Sequence, residues 1–218
     1  MPKSAERAPL SRERVLRAAL RYADEHGLAA LSMRKLAQEL GVEAMSLYNH
    51  VAGKDDLLDG LADLVVAEIA VPEIGGDWKA AMRARAHSAR AALRAHPWAS
   101  GLISSRVIVG PAMLRYIDAT LGCLHAAGFT YIQADRAWNA MDSHIYGFTL
   151  QENTFPLRPD EYATAAAQFL PLIPESTHPH MNALSRLVID GTHPGPADFD
   201  FGLNLLLDGL DRLLAEGK

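Results

Sequence analysis

The chain has 218 residues, 49% of them hydrophobic, a single cysteine and a net charge of −5. That is enough apolar side chain for a sizeable core in one large or two modest domains, and it rules out an intrachain disulfide. No apolar run approaches the roughly 18 residues of a membrane span, and residues 1–7 lack the apolar core of a signal peptide, so a cytoplasmic protein with no membrane partner is expected.

Helical spacing of apolar residues recurs nearly everywhere and no alternating strand is convincing, so an all-α fold is expected. Ser11 caps a first helix that turns Val15, Ala19 and Tyr22 inward and ends at Gly27. Residues 31–50 then read as two short helices around Gly41, with Ser32 as N-cap and Leu36, Ala37 and Leu40 on one face. Val42 and Leu47 bury the inner face of the second. Its outer face is left with Ala44, Met45, Ser46, Tyr48, Asn49 and His50, small, hydroxyl-bearing and amide groups suited to base edges and phosphates. This is a helix-turn-helix pattern; an ordinary pair of surface helices is the alternative reading.

Charge supports the first option. Residues 1–54 hold nine Lys or Arg against six Asp or Glu, whereas the remainder hold twelve against twenty. Attraction to phosphate is therefore concentrated in the helix-turn-helix end. Asp55 and Asp56 open a fourth helix, at the end where negative charge suits the helix dipole, and its inward stripe is Leu57, Leu58, Leu61, Leu64, Val65 and Ile69. Pro72 with Gly75-Gly76 stops it and marks a natural junction; a helix-turn-helix domain over residues 1–60 and a second, helical domain over 61–218 are expected, the latter regulatory and dimerising on the resemblance given below.

Further helices are expected over 78–95, 97–105, 111–126, 132–153, 159–170, 180–189 and 198–216, with the proline-rich segment 171–196 as the most loop-rich stretch. Cys123, inside Leu121-Gly-Cys-Leu124, reads as a small core residue. Ala137, Ala140, His144, Gly147 and Gln151 form a narrow small-residue face on one late helix. Phe199, Leu203, Leu206, Leu210 and Leu213 form a wide apolar face on the last, with Leu205, Leu207 and Leu214 beside it. Such faces suit core packing or a partner helix. Trp98, Leu102, Ile103, Arg106, Met113, Ile117, Trp138, Met141, His144, Ile145 and Phe148 combine aromatic, methionine and a few polar groups in the manner of a small-molecule lining, although core packing alone would use the same residues. No zinc-protease, Cys-x-x-Cys, phosphate-loop or Gly-x-Ser-x-Gly motif is present, so neither a catalytic site nor a metal or other cofactor is expected.

From residue 11 to residue 58 the sequence resembles the DNA-binding domain of TetR family transcriptional repressors. The resemblance is carried by Arg14-Val-Leu-Arg-Ala-Ala-Leu20, Gly27-Leu28, Ser32-Met-Arg-Lys-Leu-Ala37, Leu40-Gly-Val42, Leu47-Tyr48, His50-Val51 and Lys54-Asp-Asp-Leu-Leu58. It implies a homodimer on an inverted-repeat operator, released by a small, largely apolar effector and joined through a four-helix bundle of the two faces just described. It also implies DNA contacts by Ser32, Arg34, Lys35, Ala44, Met45, Ser46, Tyr48, Asn49, His50 and Lys54, and a pendulum-like movement carried by the fourth helix. Tetracycline-binding members have a histidine near the end of that helix and a later His-x-x-Thr-Arg-Pro run. Here Ala70 and Leu102-Ile-Ser-Ser-Arg-Val-Ile-Val-Gly-Pro111 stand instead, so a different effector is expected.

Overall fold

The computed structural model describes residues 9–193 and 198–216. Residues 1–8, read above for a signal peptide, 194–197, the end of the proline-rich segment, and 217–218 lie outside the described residues. Eleven α-helices and no strand are found among the described residues. They are α1 Arg12–His26, α2 Met33–Leu40, α3 Ala44–Leu47, α4 Lys54–Ala67, α5 Trp78–Ala95, α6 Ala99–Ser104, α7 Pro111–Ala126, α8 Tyr131–Thr154, α9 Tyr162–Phe169, α10 Pro179–Ile189 and α11 Phe199–Glu216.

Local chemistry sets the boundaries. The Ser11 and Ser32 hydroxyls accept from the N–H groups of Arg14 and Lys35, capping α1 and α2. Gly41 ends α2 with φ of +67°, a left-handed turn that admits glycine without strain and sets the angle into α3. One expectation changes here: α3 has only four residues. After Leu47 the N–H groups of Tyr48 and His50 bond three residues back, to Met45 and Leu47, and Val51 is drawn into the core. Tyr48, Asn49 and His50 therefore lie on turns following the helix. Prolines likewise divide the helix expected over 159–170, where 3₁₀ turns at Pro159–Glu161 and Leu170–Leu172 flank α9. Within the proline-rich stretch, Pro179 takes the first turn of α10.

The chain divides into two compact units, residues 1–149 and 150–218. In the first, Val15, Leu16 and Ala19 of α1, Leu36 and Leu40 of α2, Leu47 of α3 and Leu57 and Leu61 of α4 are buried as one core. Gly60 lets α1 approach closely there: a Cβ would lie 2.6 Å from a Leu16 methyl, and that side chain would have to turn aside. The inner stripe of α4 is Leu57, Leu61, Ala62, Val65 and Val66, with Leu58 and Leu64 only half-buried. The break after α4 falls inside this unit, since α4 also packs on α5, α6 and α7. Cys123 is buried in α7, where desolvation and then the charge of Asp77 push its thiol above the usual range, as suits a core residue.

In the second unit α9 packs on α10. Asn182 is buried there, donating to the Ile173 carbonyl at 2.6 Å and accepting from Arg186 at 2.8 Å. On α11 the buried residues are Phe199, Leu203 and Leu207, whereas Leu206 and Leu210 are half-buried and Phe201, Leu205 and Leu213 are exposed.

Candidate nucleic-acid interface and cavity

The helix-turn-helix presents a mixed polar surface on a rigid base. Met45, Tyr48 and Asn49 are exposed, Ala44, Ser46 and His50 are half-buried, and Arg34, Lys35 and Lys54 are exposed around them. Ser32, half-buried, uses its hydroxyl as the α2 cap. The segment after α3 is held by groups that sequence periodicity does not reveal. Asp56 of α4 accepts from the Ala52 N–H at 2.8 Å and pairs in a fork with Arg12 of α1, at 2.6 and 2.7 Å. Arg12 also donates to the His50 carbonyl at 3.2 Å. The Arg12 hydrogen bond holds the Asp56 carboxyl below its ordinary range, with help from the Ala52 N–H. The Tyr48–Gly53 turns are thus pinned simultaneously to α1 and α4.

Further along α4, acidic residues at successive turns bind the segment between α6 and α7. The Arg106 guanidinium donates to Asp59 at 2.7 Å and to Asp55 at 3.0 Å. The Asp63 carboxylate accepts from the Ala112 and Met113 N–H groups at 3.2 and 2.8 Å, capping the start of α7 from another helix. A Cβ on Gly110 would lie 2.3 Å from the Asp63 carboxyl carbon, so this approach needs glycine. Just past α4, Glu68 meets Nε2 of buried His96 at 3.3 Å, while Nδ1 of the same ring meets Asp24 of α1 at 2.7 Å.

The segment held by Arg106 and Asp63 is also the wall of a hollow of about 650 Å³. Five residues expected in an effector site line it: Ile103, Arg106, Met113, Ile117 and Trp138. Ser104, Val107, Ile108, Asn139, Asp142, Ser143 and Tyr146 complete the lining. The other expected residues lie elsewhere. Trp98 donates its indole N–H to Asp24 at 2.8 Å, and Leu102, Met141 and Ile145 are buried outside the lining. Phe148 lies under the Arg90 guanidinium and beside the His144 ring. The division has a simple cause: residues three and four apart share a helix face, and on α8 the face of Trp138, Asp142 and Tyr146 opens to the hollow while that of Met141 and Ile145 is sealed.

Asp142 is the polar centre of that face. It pairs with Arg85 of α5 and accepts from the Trp138 indole at 2.7 Å and the Tyr146 hydroxyl at 3.3 Å. Burial, the largest influence on Arg85, disfavours its charge, and the surrounding Tyr116, Asp142 and Tyr146 more than offset this, leaving a guanidinium. Burial pushes the Tyr116 and Tyr146 phenols far upward, so both are neutral at physiological pH. A charged Asp and Arg inside an apolar helix pair could have been noticed in the sequence, where Asp142 sits between Met141 and Ile145. Their pairing across 57 positions could not.

The geometry accords with what the chain is similar to. Residues 15–61 match the family model for bacterial regulatory proteins of the tetR family, and residues 71–214 that for a tetracyclin repressor-like C-terminal domain. Over its full length the chain is 33% identical to the HTH-type transcriptional repressor DrrR1 of Streptomyces coeruleorubidus, 83% of which is covered. It is 34% identical to the class A tetracycline repressor of transposon 1721 from Escherichia coli, over 91% of this chain and 89% of that one. Among solved structures, the Streptomyces coelicolor protein ActR in complex with actinorhodin matches with a TM-score of 0.77 at 29% identity, covering 96% of this chain and 99% of that chain.

Proposed function

The chain belongs to the TetR family of transcriptional regulators, acting as a ligand-responsive, DNA-binding repressor, and we propose how its own residues carry that activity. Two copies place their α3 turns in successive major grooves about 34 Å apart on an inverted repeat. Arg34, Lys35 and Lys54 hold phosphates, Ser32, Tyr48 and His50 the backbone, and Ala44, Met45, Ser46 and Asn49 face the bases. The 650 Å³ hollow takes a small effector whose body is largely apolar. Action is by binding alone, without catalysis, and a repressor works where its DNA is, which in a bacterium is the cytoplasm. No helix among the described residues is long and apolar enough to cross a membrane.

One observation carries the mechanism: α4 is bonded at one end to the reading head and along its length to the wall of the hollow. Asp56 holds the α3–α4 turn and Arg12, while Asp55, Asp59 and Asp63 hold Arg106 and the start of α7. An effector that displaces the wall while these bonds hold must therefore move α4, which re-aims the reading head. Thermodynamic reciprocity requires the operator to weaken effector binding by the same factor. The test is a fluorescence-anisotropy titration of the protein on its own upstream DNA. Salt-sensitive binding that needs an inverted repeat is expected; binding indifferent to both salt and symmetry refutes the reading. A thermal scan against metabolites then finds effectors, because a ligand of the native state raises the melting temperature by mass action.

A further inference from the structure

Directed bonds hold α1 at both of its ends. At its start Arg12 meets the Asp56 carboxylate and the His50 carbonyl, behind the residues set against DNA. Near the other end, about 18 Å away at 1.5 Å per residue, Asp24 accepts two N–H groups on a single oxygen, from Nδ1 of His96 at 2.7 Å and from the Trp98 indole at 2.8 Å. An ionised carboxylate only accepts, so Nδ1 carries the proton of that bond. The other ring nitrogen, Nε2, lies 3.3 Å from Glu68, just past α4.

Local sequence makes this corner. A proline keeps the residue before it out of the helical region, so α5 ends at His96, whose backbone turns to φ −124° and ψ 75°. Trp98 then precedes the first residue of α6. His96, buried, and Trp98, half-buried, thus flank Pro97 on one bend with their rings 5.9 Å apart, and both side chains converge on α1. The helix α1 packs on α2 and α4, and α4 in turn on α5, α6 and α7; among the described residues no comparable packing joins α1 to α5 or α6. Asp24 is therefore a point at which the α5–α6 corner takes hold of α1 directly. Apolar packing along α4 allows small slides and rotations, whereas two bonds to one oxygen fix that oxygen in place.

We infer that Asp24, His96 and Trp98 form the pivot on which each reading head is set: they hold the far end of α1 while α4 moves the near end, and so position α3 for the operator. The inference rests on two heads reading one inverted repeat, and such a site is filled only when both heads stand in register. If loss of the pivot leaves each head in register about a third of the time, the apparent Kd rises about tenfold, the inverse of the two fractions multiplied.

The test uses the full chain carrying a spin label at Glu39→Cys, an exposed position outside the proposed DNA contacts, with Cys123→Ala removing the single native thiol. Pulsed dipolar spectroscopy then reads the head-to-head distance in the dimer, and anisotropy on the inverted repeat of its own upstream DNA reads affinity. This reference protein should show one narrow distance. Asp24→Ala places a strong helix former on α1; it should broaden the distance and weaken operator binding about tenfold, with the salt slope unchanged because no phosphate contact is lost. Trp98→Phe keeps an aromatic ring and deletes one N–H, so it should act in the same direction less strongly, and should add nothing to Asp24→Ala. It also carries the test if Asp24→Ala folds poorly. Absence of both effects, or either without the other, overturns the pivot. A reference protein that gives no head-to-head distance and binds DNA without need of an inverted repeat overturns the two-headed reading instead.

Discussion

Substituting Gly110 by alanine should expose how α4 is fastened to the wall of the hollow. The new Cβ would lie 2.3 Å from the Asp63 carboxyl carbon and 2.8 Å from its Cβ, distances no pair of atoms tolerates, so the carboxylate must swing away. Its movement strips the Ala112 and Met113 N–H groups of their acceptor. Loss of a helix N-cap costs about 1 kcal/mol, the lost charge–dipole attraction adds about 0.3–1, and residual crowding adds about 1–3. Gly110→Ala should therefore destabilise by roughly 2–5 kcal/mol. Asp63→Ala alone loses only the cap, about 1–2 kcal/mol. In the double variant the obstruction has gone, so adding Gly110→Ala to Asp63→Ala should cost almost nothing. Urea unfolding of the four proteins at one fixed protomer concentration measures this, fixed because dimer stability depends on concentration. The non-additivity expected is the whole cost of the single Gly110 substitution, about 2–5 kcal/mol. Additive effects within about 0.5 kcal/mol would refute the cap, since residues that do not share an interaction simply sum.

Lys54→Ala should weaken binding to all DNA sequences and reduce the salt slope by roughly one phosphate contact, whereas Asn49→Ala should relax preference at one base position; competition titrations over a salt series distinguish the two. Because the folded-state pKa of Asp56 is lowered, its contribution is present above the ordinary carboxylate range and fades as pH falls through the folded value. Operator binding measured from pH 7 downward should decline in the wild type, and Arg12→Met should both weaken it at pH 7 and flatten that decline; a parallel decline in the two proteins refutes the pinning role. Leu205→Asp on α11, or Gly147→Arg on the exposed face of α8, should lower the sedimentation coefficient towards that of a monomer and abolish operator binding, because each puts charge into the proposed four-helix interface. A dimer that survives both substitutions places the interface elsewhere.

The sequence was most legible where one local rule decides. Ser11 and Ser32 cap because their hydroxyls reach N–H groups three residues on, and Gly41 turns because it alone accepts that φ freely. The helices over 78–95 and 111–126 follow from uninterrupted apolar spacing, bounded by Asp77 and Pro111 at their starts. Legibility failed where two distant segments decide together. A list of aromatic and methionine residues could not separate Trp138, which faces the hollow, from Met141, three positions on and fully buried. Trp98 looked like lining because indole is apolar, yet its N–H is committed to Asp24, 74 positions away. Arg106 was legible as a polar member of the expected lining, but not its tie to α4, since Asp55 and Asp59 resemble any acidic helix start.

That resemblance conceals the use made of α4. Its inward face is ordinary core, Leu57, Leu61 and Val65, and packing there fixes its distance from the helices beside it. On the rest of its surface, Asp55, Asp56, Asp59 and Asp63 each hold a group from another element, Arg106, Arg12 or the start of α7. Apolar contacts are non-directional and let a helix slide or rotate slightly, whereas carboxylate bonds fix particular atoms. The helix is therefore free to move as a body but not to move without its partners. Coupling between effector and operator of about 1–3 kcal/mol needs no more than a preference of that size for one set of bonds over another. Arg106→Ala should accordingly leave effector and operator affinities measurable while shrinking the factor by which each weakens the other. Were both affinities to fall with that factor unchanged, Arg106 would be a support of the wall and the coupling would run through Asp63 and α7 alone.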